Sequence, residues 1–184
     1  MRRAPAAGDH QRATVRKTLA TDYVIANHEL AYQLKCPLGS SWFRIRALRY
    51  LKDSPVPLCH TEFYLAPEYA GVVKHKKHES VMIVHQIAEM YGEEADATQI
   101  DIYASQISPA VATRLDAKAG SPALNVIRRY SNAEGRMFEV TISVHPAQRH
   151  TYSFLLKRET ARKRKARAEP ELPPAARKAA KRRA

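Results

Sequence analysis

Apolar and polar residues alternate most regularly between residues 118 and 158. Because successive side chains of a strand point to opposite faces, this segment predicts a strand, a tight turn, a second strand, a short corner and a third strand. In the second strand, alternation predicts one apolar face that carries Phe138, Val140, Ile142 and Val144. The opposite face carries Met137, Glu139, Thr141, Ser143 and His145. This polar row is either the solvated side of an antiparallel sheet or the floor of a pocket for a small polar ligand.

Helical periodicity and a hairpin precede this segment. Apolar spacing close to 3.6 residues and residues typical of helix ends predict three helices, over residues 28–35 and 80–91 and from Ser108 to just before Gly120. Alternation predicts strands over residues 42–50, 56–65 and 98–104, and residues 67–73 connect the hairpin to the second helix. Hairpins dominate this order, so the predicted fold class is α+β, with a mostly antiparallel sheet and helices packed on one face.

The net charge of +13 is concentrated at the end of the chain. From Lys157 onward there are 12 Lys and Arg against 3 Asp and Glu, a net of +9, whereas residues 1–156 carry a net of only +4. Residues 159–184 have no aromatic residue and a single leucine, so they are predicted to be disordered. A basic tail of this kind binds phosphates without sequence preference by counterion release, or simply remains solvated.

The first 21 residues are also predicted to be poorly ordered, which leaves residues 22–158 as one folded domain. The N-terminal segment has no apolar stretch typical of a secretion signal, and no segment approaches the roughly 18 apolar residues of a membrane span. The two cysteines, Cys36 and Cys59, lie outside any metal-binding spacing. These features predict a cytoplasmic protein with reduced thiols and no membrane association.

Catalytic and metal-binding patterns do not stand out in the sequence. His75 and His78 have an H-x-x-H spacing, and His85 follows, but the neighbouring lysines would repel a cation, so we expect no metal site. No nucleophile and base pair, glycine-rich phosphate loop or pair of catalytic carboxylates is evident. We therefore predict neither a cofactor nor an enzymatic activity.

Three stretches of the chain carry a family resemblance through their combined order and spacing. They are LKCPLGSSWFRIRALRYLKDSPVPLCHTEFYLAPEYAGV (34–72), AEMYG (88–92) and AVATRLDAKAGSPALNVIRRYSNAEGRMFEVTISVHPAQRHTYSF (110–154). Over residues 22–158 the chain resembles the UTRA domain, the effector-sensing domain of GntR-type bacterial transcription regulators of the HutC subfamily. The resemblance implies a fold similar to that of chorismate lyase, and a regulator rather than an enzyme.

The resemblance also implies partners. Domains of this family bind a small polar or anionic metabolite, form homodimers and control DNA binding in response to the metabolite. Family regulators carry a winged helix-turn-helix before this domain, but only about 21 residues precede the match here. DNA contact is therefore expected through a missing or partner winged-helix domain, with weak non-specific contact by the tail. Two alternatives stay open: a chorismate lyase-like enzyme, and a nucleic-acid-binding protein that acts through its basic tail.

Six residues are candidate ligand contacts by their positions in the family pattern: Arg49, Thr61, Glu139, Thr141, Ser143 and His145. Arg49 matches an arginine that holds an anionic ligand group, because a guanidinium can form paired hydrogen bonds with a carboxylate or phosphate. Its alternative role is a surface ion pair with Asp53 or Glu62. Ala47 stands where phosphate-binding relatives have arginine, which argues against a phosphorylated sugar.

The polar row contributes further candidates through the same resemblance. Glu139 matches a carboxylate that accepts hydrogen bonds from the ligand, and its alternative is an exposed strand glutamate. His145 stands where sugar-phosphate-binding relatives have tyrosine, and a neutral imidazole there can donate or accept. Arg149 matches a family arginine, and we expect it to hold the corner before the last strand rather than to contact the ligand.

The second hairpin strand offers either Thr61 or Glu62 to the pocket rim. Only one of these neighbours can face inward, because adjacent strand residues point to opposite faces. Alternation places Thr61 with Cys59 and Phe63, so Thr61 is the predicted inward residue.

Overall fold

The computed structural model of the protein describes residues 14–52, 54–75 and 79–153. Its strands are β1 (Thr14–Ile25), β2 (Ser41–Leu51), β3 (Pro57–Leu65), β4 (Ala97–Gln106), β5 (Pro122–Ser131) and β6 (Met137–Pro146). Its α-helices are α1 (His28–Leu34), α2 (Ile83–Tyr91) and α3 (Pro109–Leu115), and a 3-10 helix covers Pro67–Lys74. These elements belong to one unit, which ends at Tyr152.

The six strands form one sheet in the order β1-β2-β3-β6-β5-β4, and all neighbours are antiparallel. Strands β1 to β3 follow one another as a meander, and so do β4 to β6. The two halves join where β3 pairs with β6, with Thr61 opposite Ser143. The predicted α+β class and antiparallel sheet are confirmed.

The first strand corrects the prediction for the N-terminal segment. Residues 14–21, expected to be poorly ordered, belong to β1, which pairs with β2 along its length. The prediction failed because Arg16 and Lys17 make the segment look polar, although Arg16 is only 1% exposed. The folded domain therefore begins before residue 22. The prediction for residues 1–13 lies outside the described residues, as does that for residues 159–184.

Helices pack on both faces of the sheet, whereas the sequence predicted one covered face. On one face, called the α2 face below, a cluster joins the sheet to the 3-10 helix and α2, and its members include Ile45, Phe63, Val72 and Ile87. On the opposite face, a second cluster joins the sheet to α1, and its members include Leu34, Trp42, Tyr64 and Val140. Strand β3 is buried along nearly its whole length, so the centre of the sheet needs apolar cover on both sides.

A bulge in β6 reverses the predicted faces of two residues. Tyr130 lies opposite Glu139 but Ser131 lies opposite Met137, so Phe138 is an extra residue in the pairing. As a result, Phe138 joins the cluster on the α2 face, and Met137 packs against the cluster on the α1 side. Strict alternation had predicted the opposite arrangement for both side chains.

The helix ends agree with the local sequence. The side chain of Asn27 accepts a hydrogen bond from the backbone N–H of Leu30 at 2.9 Å and caps α1. Ser108 caps α3 in the same way, by accepting from the N–H of Val111. Gly92 ends α2 with a φ of 71°, a left-handed conformation that glycine adopts without strain.

Three segments differ in detail from the sequence prediction. The helix predicted over residues 80–91 begins at Ile83, and the predicted connection over residues 67–73 is a 3-10 helix. Residues 151–153 adopt neither helix nor strand, and the rest of the predicted third strand lies outside the described residues. Among the helices that the structure describes, none is long and apolar enough to cross a membrane.

Candidate functional site

A pocket of about 60 Å³ opens on the α2 face, between the sheet and the start of α2. All six candidate residues predicted from the sequence line it: Arg49, Thr61, Glu139, Thr141, Ser143 and His145. Met82 and Ile83 close it from the side of α2, and Arg128 and Tyr130 line it from β5. The sheet therefore brings together residues that lie almost one hundred positions apart in the sequence.

The register of β3 and β6 sets the floor of this pocket. Thr61 lies opposite Ser143, and their hydroxyl oxygens are 2.9 Å apart, so they form a hydrogen bond within the floor. Glu62 lies on the other face, where its carboxylate accepts a hydrogen bond from the hydroxyl of Tyr64 at 2.5 Å. The predicted inward orientation of Thr61 is confirmed, whereas its contact with a ligand stays a prediction.

Glu139 occupies the most buried position of the polar row. Its side chain is 2% exposed, and among the described residues its Oε2 atom has no hydrogen-bond partner. Burial raises the pKa of this carboxyl to about 8, although the nearby positive charge of Arg16 acts in the opposite direction. At neutral pH the carboxyl is therefore mostly protonated, and it can both donate to and accept from a ligand.

His145 lies six residues further along β6, about 20 Å along an extended strand. Burial lowers its pKa to about 3, and the charges of His150, Arg128 and Arg49 act in the same direction, so the imidazole is neutral. Within the described part of the chain, neither ring nitrogen has a hydrogen-bond partner. The ring stacks on His150 with centroids 3.9 Å apart. A flat aromatic wall thus closes this end of the pocket and keeps two polar atoms available.

Two guanidinium groups give the pocket its positive charge. Arg49 donates a hydrogen bond to the hydroxyl of Thr14 at 2.8 Å. Its alternative pairing with Glu62 is wrong, because Glu62 lies on the opposite face of the sheet and pairs there with Tyr64. The other alternative partner, Asp53, lies outside the described residues. Arg128, on β5, was missed by the sequence analysis. Its position opposite Thr141 follows only from the pairing of β5 with β6, and no local pattern indicates it.

Arg16 is a second residue that the sequence analysis missed. It lies on β1 directly opposite Arg49, and its guanidinium is 5.3 Å from the ring centroid of Phe63, which lines the pocket. Burial and the charge of Arg49 lower its pKa to about 10, while Glu139 acts in the opposite direction, so it stays charged at neutral pH. Alternation within β1 was the available signal, but an arginine in a polar segment usually lies at the surface.

Arg149 holds the corner after β6, as predicted. Its guanidinium donates to the backbone carbonyls of Pro57, Leu115 and Asp116 at 2.8, 2.5 and 2.6 Å. These bonds join β3, α3 and the corner, and Arg149 is not among the residues that line the pocket.

The histidines considered for metal binding do not form a cluster among the described residues. His75 pairs with Glu89 at 3.1 Å, and His85 is exposed on α2, whereas residue 78 lies outside the described residues. In the part of the chain that the structure describes, no group of three or more histidine, cysteine or acidic residues could hold a metal ion.

Comparison with known proteins places this chain in a family. The UTRA domain profile matches residues 9–151. No curated protein matches the chain in sequence at a significant level. Among solved structures, PhnF from Mycobacterium smegmatis has a TM-score of 0.68 and 18% identity, and the match covers 79% of this chain and 64% of that chain. The chain thus spans less than two thirds of that relative.

Separate effector domains match over more of their length. The effector domain of PhnF from Mycobacterium smegmatis has a TM-score of 0.68 and 18% identity, with 79% of this chain and 88% of that chain covered. A GntR-family transcriptional regulator from Bacillus cereus has a TM-score of 0.64 and 14% identity, with 79% and 99% covered. These likenesses show the fold, and the profile covers well over half of the sequence. The chain belongs to the UTRA domain family.

Proposed function

We propose that the protein is the small-molecule effector-sensing and dimerisation domain of a cytoplasmic GntR-type regulator of the HutC subfamily. It controls DNA binding in response to a metabolite and is not an enzyme. One observation carries the proposal. Buried polar atoms in the pocket have no hydrogen-bond partner among the described residues, and these atoms are Glu139 Oε2, Thr141 Oγ1, His145 Nδ1 and His145 Nε2.

Such atoms indicate a ligand of matching polarity. Leaving a buried donor or acceptor unpaired costs about 1–3 kcal/mol, so a small molecule that satisfies these atoms gains affinity from each of them. Arg49 and Arg128 add positive charge to the same pocket, whereas Glu139 and His145 are mostly neutral. The ligand is therefore a small organic anion or polar metabolite, with a carboxylate favoured near the arginines.

A thermal-shift screen of amino acids, sugars and organic acids tests the proposal. A ligand that binds only the folded state raises the melting temperature by mass action. We expect hits with the wild-type protein and their loss in the double variant Arg49→Ala, Glu139→Ala. The matched control is Lys118→Ala, Glu94→Ala, which removes one positive and one negative exposed side chain elsewhere. Equal shifts in the pocket variant and the wild type would show that the ligand binds somewhere else.

Dimerisation is proposed to use the edge of the sheet at β4. Nine of the ten residues of β4 are exposed, including Ile100, Ile102 and Tyr103, so this edge has apolar side chains without cover. The other edge, β1, is partly occupied, because the backbone N–H of Arg16 donates to the carbonyl of Glu79 at 2.7 Å. An uncovered edge strand is a ready template for pairing with another chain, and two-fold pairing makes a closed dimer.

A further inference from the structure

The segment directly before α2, residues 79–82, is called the leading segment here, and Arg16 holds it against the sheet. The backbone N–H of Arg16 donates to the carbonyl of Glu79 at 2.7 Å. Its guanidinium donates to the carbonyl of Val81 at 3.2 Å. Both ends of one residue thus bind the same short segment, and the guanidinium contact is the one that a side-chain substitution can remove.

The leading segment also forms part of the pocket and continues into α2. Met82 lines the pocket together with Ile83, the first residue of the helix. The carbonyl of Val81 accepts a second hydrogen bond at 2.7 Å from the side chain of Gln86, within α2. A shift of the Val81 carbonyl therefore affects the pocket wall and the first turn of the helix together.

The guanidinium of Arg16 lies close to charged groups of the pocket, so a charged ligand would change the electrostatic interactions of Arg16. It faces Arg49 across the β1–β2 pair, and it lies over the ring of Phe63 at 5.3 Å. The carboxylate of Glu79 stabilises its charge, as Glu139 does when it is ionised, whereas Arg49 destabilises it. With only 1% of its surface exposed, Arg16 has little water to screen these interactions.

From these contacts we infer that Arg16 is a positioning residue that couples occupation of the pocket to the leading segment and the start of α2. This inference rests on the proposed function, because it requires a ligand in the pocket. An anion beside Arg49 reduces the repulsion between Arg49 and Arg16. The bond from Arg16 to the Val81 carbonyl is then strengthened, and the leading segment and the first turn of α2 become less mobile.

Hydrogen exchange of the full-length chain measures this coupling directly. Peptides that cover residues 79–88 are followed by mass spectrometry with and without malonate, a small dicarboxylate that serves as the probe. In the wild-type protein we expect malonate to slow exchange in these peptides. In Arg16→Met, which keeps an unbranched chain but no donor, we expect basal exchange to rise about fivefold, as loss of one buried hydrogen bond allows, and the malonate effect to vanish.

Two further variants separate coupling from general destabilisation. Lys17→Met removes a positive charge from the neighbouring, exposed position of β1, and we expect wild-type exchange and a wild-type malonate effect. Arg16→Lys keeps the charge with a single donor group, and we expect an intermediate malonate effect. Arg16→Lys also provides the comparison if Arg16→Met does not fold. Basal exchange in β5 and β6 peptides, measured in the same variants without malonate, should stay at the wild-type level.

The outcomes for the coupling and for the proposed function are distinguishable. Wild-type exchange over residues 79–88 in Arg16→Met, or a malonate effect that persists in it, would overturn the coupling. A malonate-induced rise in melting temperature that leaves this exchange unchanged in the wild type would overturn it as well. If malonate causes no shift in melting temperature, the proposed function fails for this anion. Wild-type basal exchange in Arg16→Met would then still overturn the coupling, because the coupling requires Arg16 to hold the leading segment.

Discussion

At the scale of single residues, burial rather than residue type sets the chemistry of the pocket. Glu139 is an acid whose pKa is raised to about 8 by burial, and His145 is a base whose pKa is lowered to about 3. Both are therefore mostly neutral at pH 7, while Arg16 stays charged. A pocket that looks zwitterionic in the sequence carries net positive charge in the fold, and this favours an anionic ligand.

The raised pKa of Glu139 predicts a stability that falls with pH. In the unfolded chain the carboxyl has its ordinary pKa of 4.5, so between pH 4.5 and 8 the unfolded state has lost a proton that the folded state keeps. The associated stability is fully present below pH 4.5 and is lost as the pH rises through 8. We expect Glu139→Gln to flatten this dependence and to be more stable than the wild type at pH 8 by about 2–4 kcal/mol.

Urea denaturation at pH 4.5, 6 and 8 measures this effect as the free energy of unfolding. The control is Glu134→Gln, which neutralises an exposed carboxylate in the turn before β6 and should keep the wild-type dependence. If the free energy of unfolding of Glu139→Gln depends on pH as that of the wild type does, ionisation of Glu139 does not destabilise the folded state and the prediction is wrong.

At the scale of elements, a buried arginine attaches α1 to the second half of the sheet. Arg129 of β5 donates to the carbonyls of Gln33 and Leu34, in the last turn of α1, at 2.5 and 3.3 Å. It also pairs with Asp101 of β4 at 2.5 Å, which helps to hold the pKa of that carboxyl below its usual range. These carbonyls have no partners within the helix, so a buried cation is a suitable cap for them.

The exposed edge strand leads to a prediction about assembly. If β4 pairs with its copy in a dimer, Ile102→Lys places a charge in the interface and should shift the protein towards the monomer. The control is Leu38→Lys, at a position that is 58% exposed in the loop after α1, and it should leave the dimer intact. Analytical ultracentrifugation at micromolar concentration measures both. A wild-type protein that sediments only as a 20.8 kDa species would contradict the dimer.

At the scale of the whole molecule, the charge distribution predicts how the chain meets DNA. The net charge of +9 from Lys157 onward gives binding to phosphates that is independent of sequence and weakens steeply with salt. We therefore expect weak retention on DNA, measured by gel shift, that disappears when residues 159–184 are deleted. A footprint at one defined sequence that survives about 200 mM salt and this deletion would show specific recognition by the folded domain instead.

Local patterns in the sequence were sufficient for most elements and for part of the site. Helix caps and stops act over a few residues of backbone, so the sequence alone predicts them. The structure confirms the caps at Asn27 and Ser108 and the stop at Gly92. The polar row of β6 could also be predicted from the sequence, because its period of two depends only on strand geometry. The bulge at Phe138 could not be predicted in this way, because it depends on the pairing of β6 with β5.

What the sequence by itself determined was the class of fold, because periodicity acts along one chain, and the family pattern, whose resemblance supplied the six candidate residues. Only the tertiary structure decided that helices cover both faces and that β1 includes residues from Thr14. It also decided that Arg128 lines the pocket and that Arg16 lies beside two lining residues, Arg49 and Phe63. The physical reason is that burial is a property of neighbours. Arg16 is buried because β2, Phe63 and the leading segment surround it, and those contacts come from distant parts of the chain.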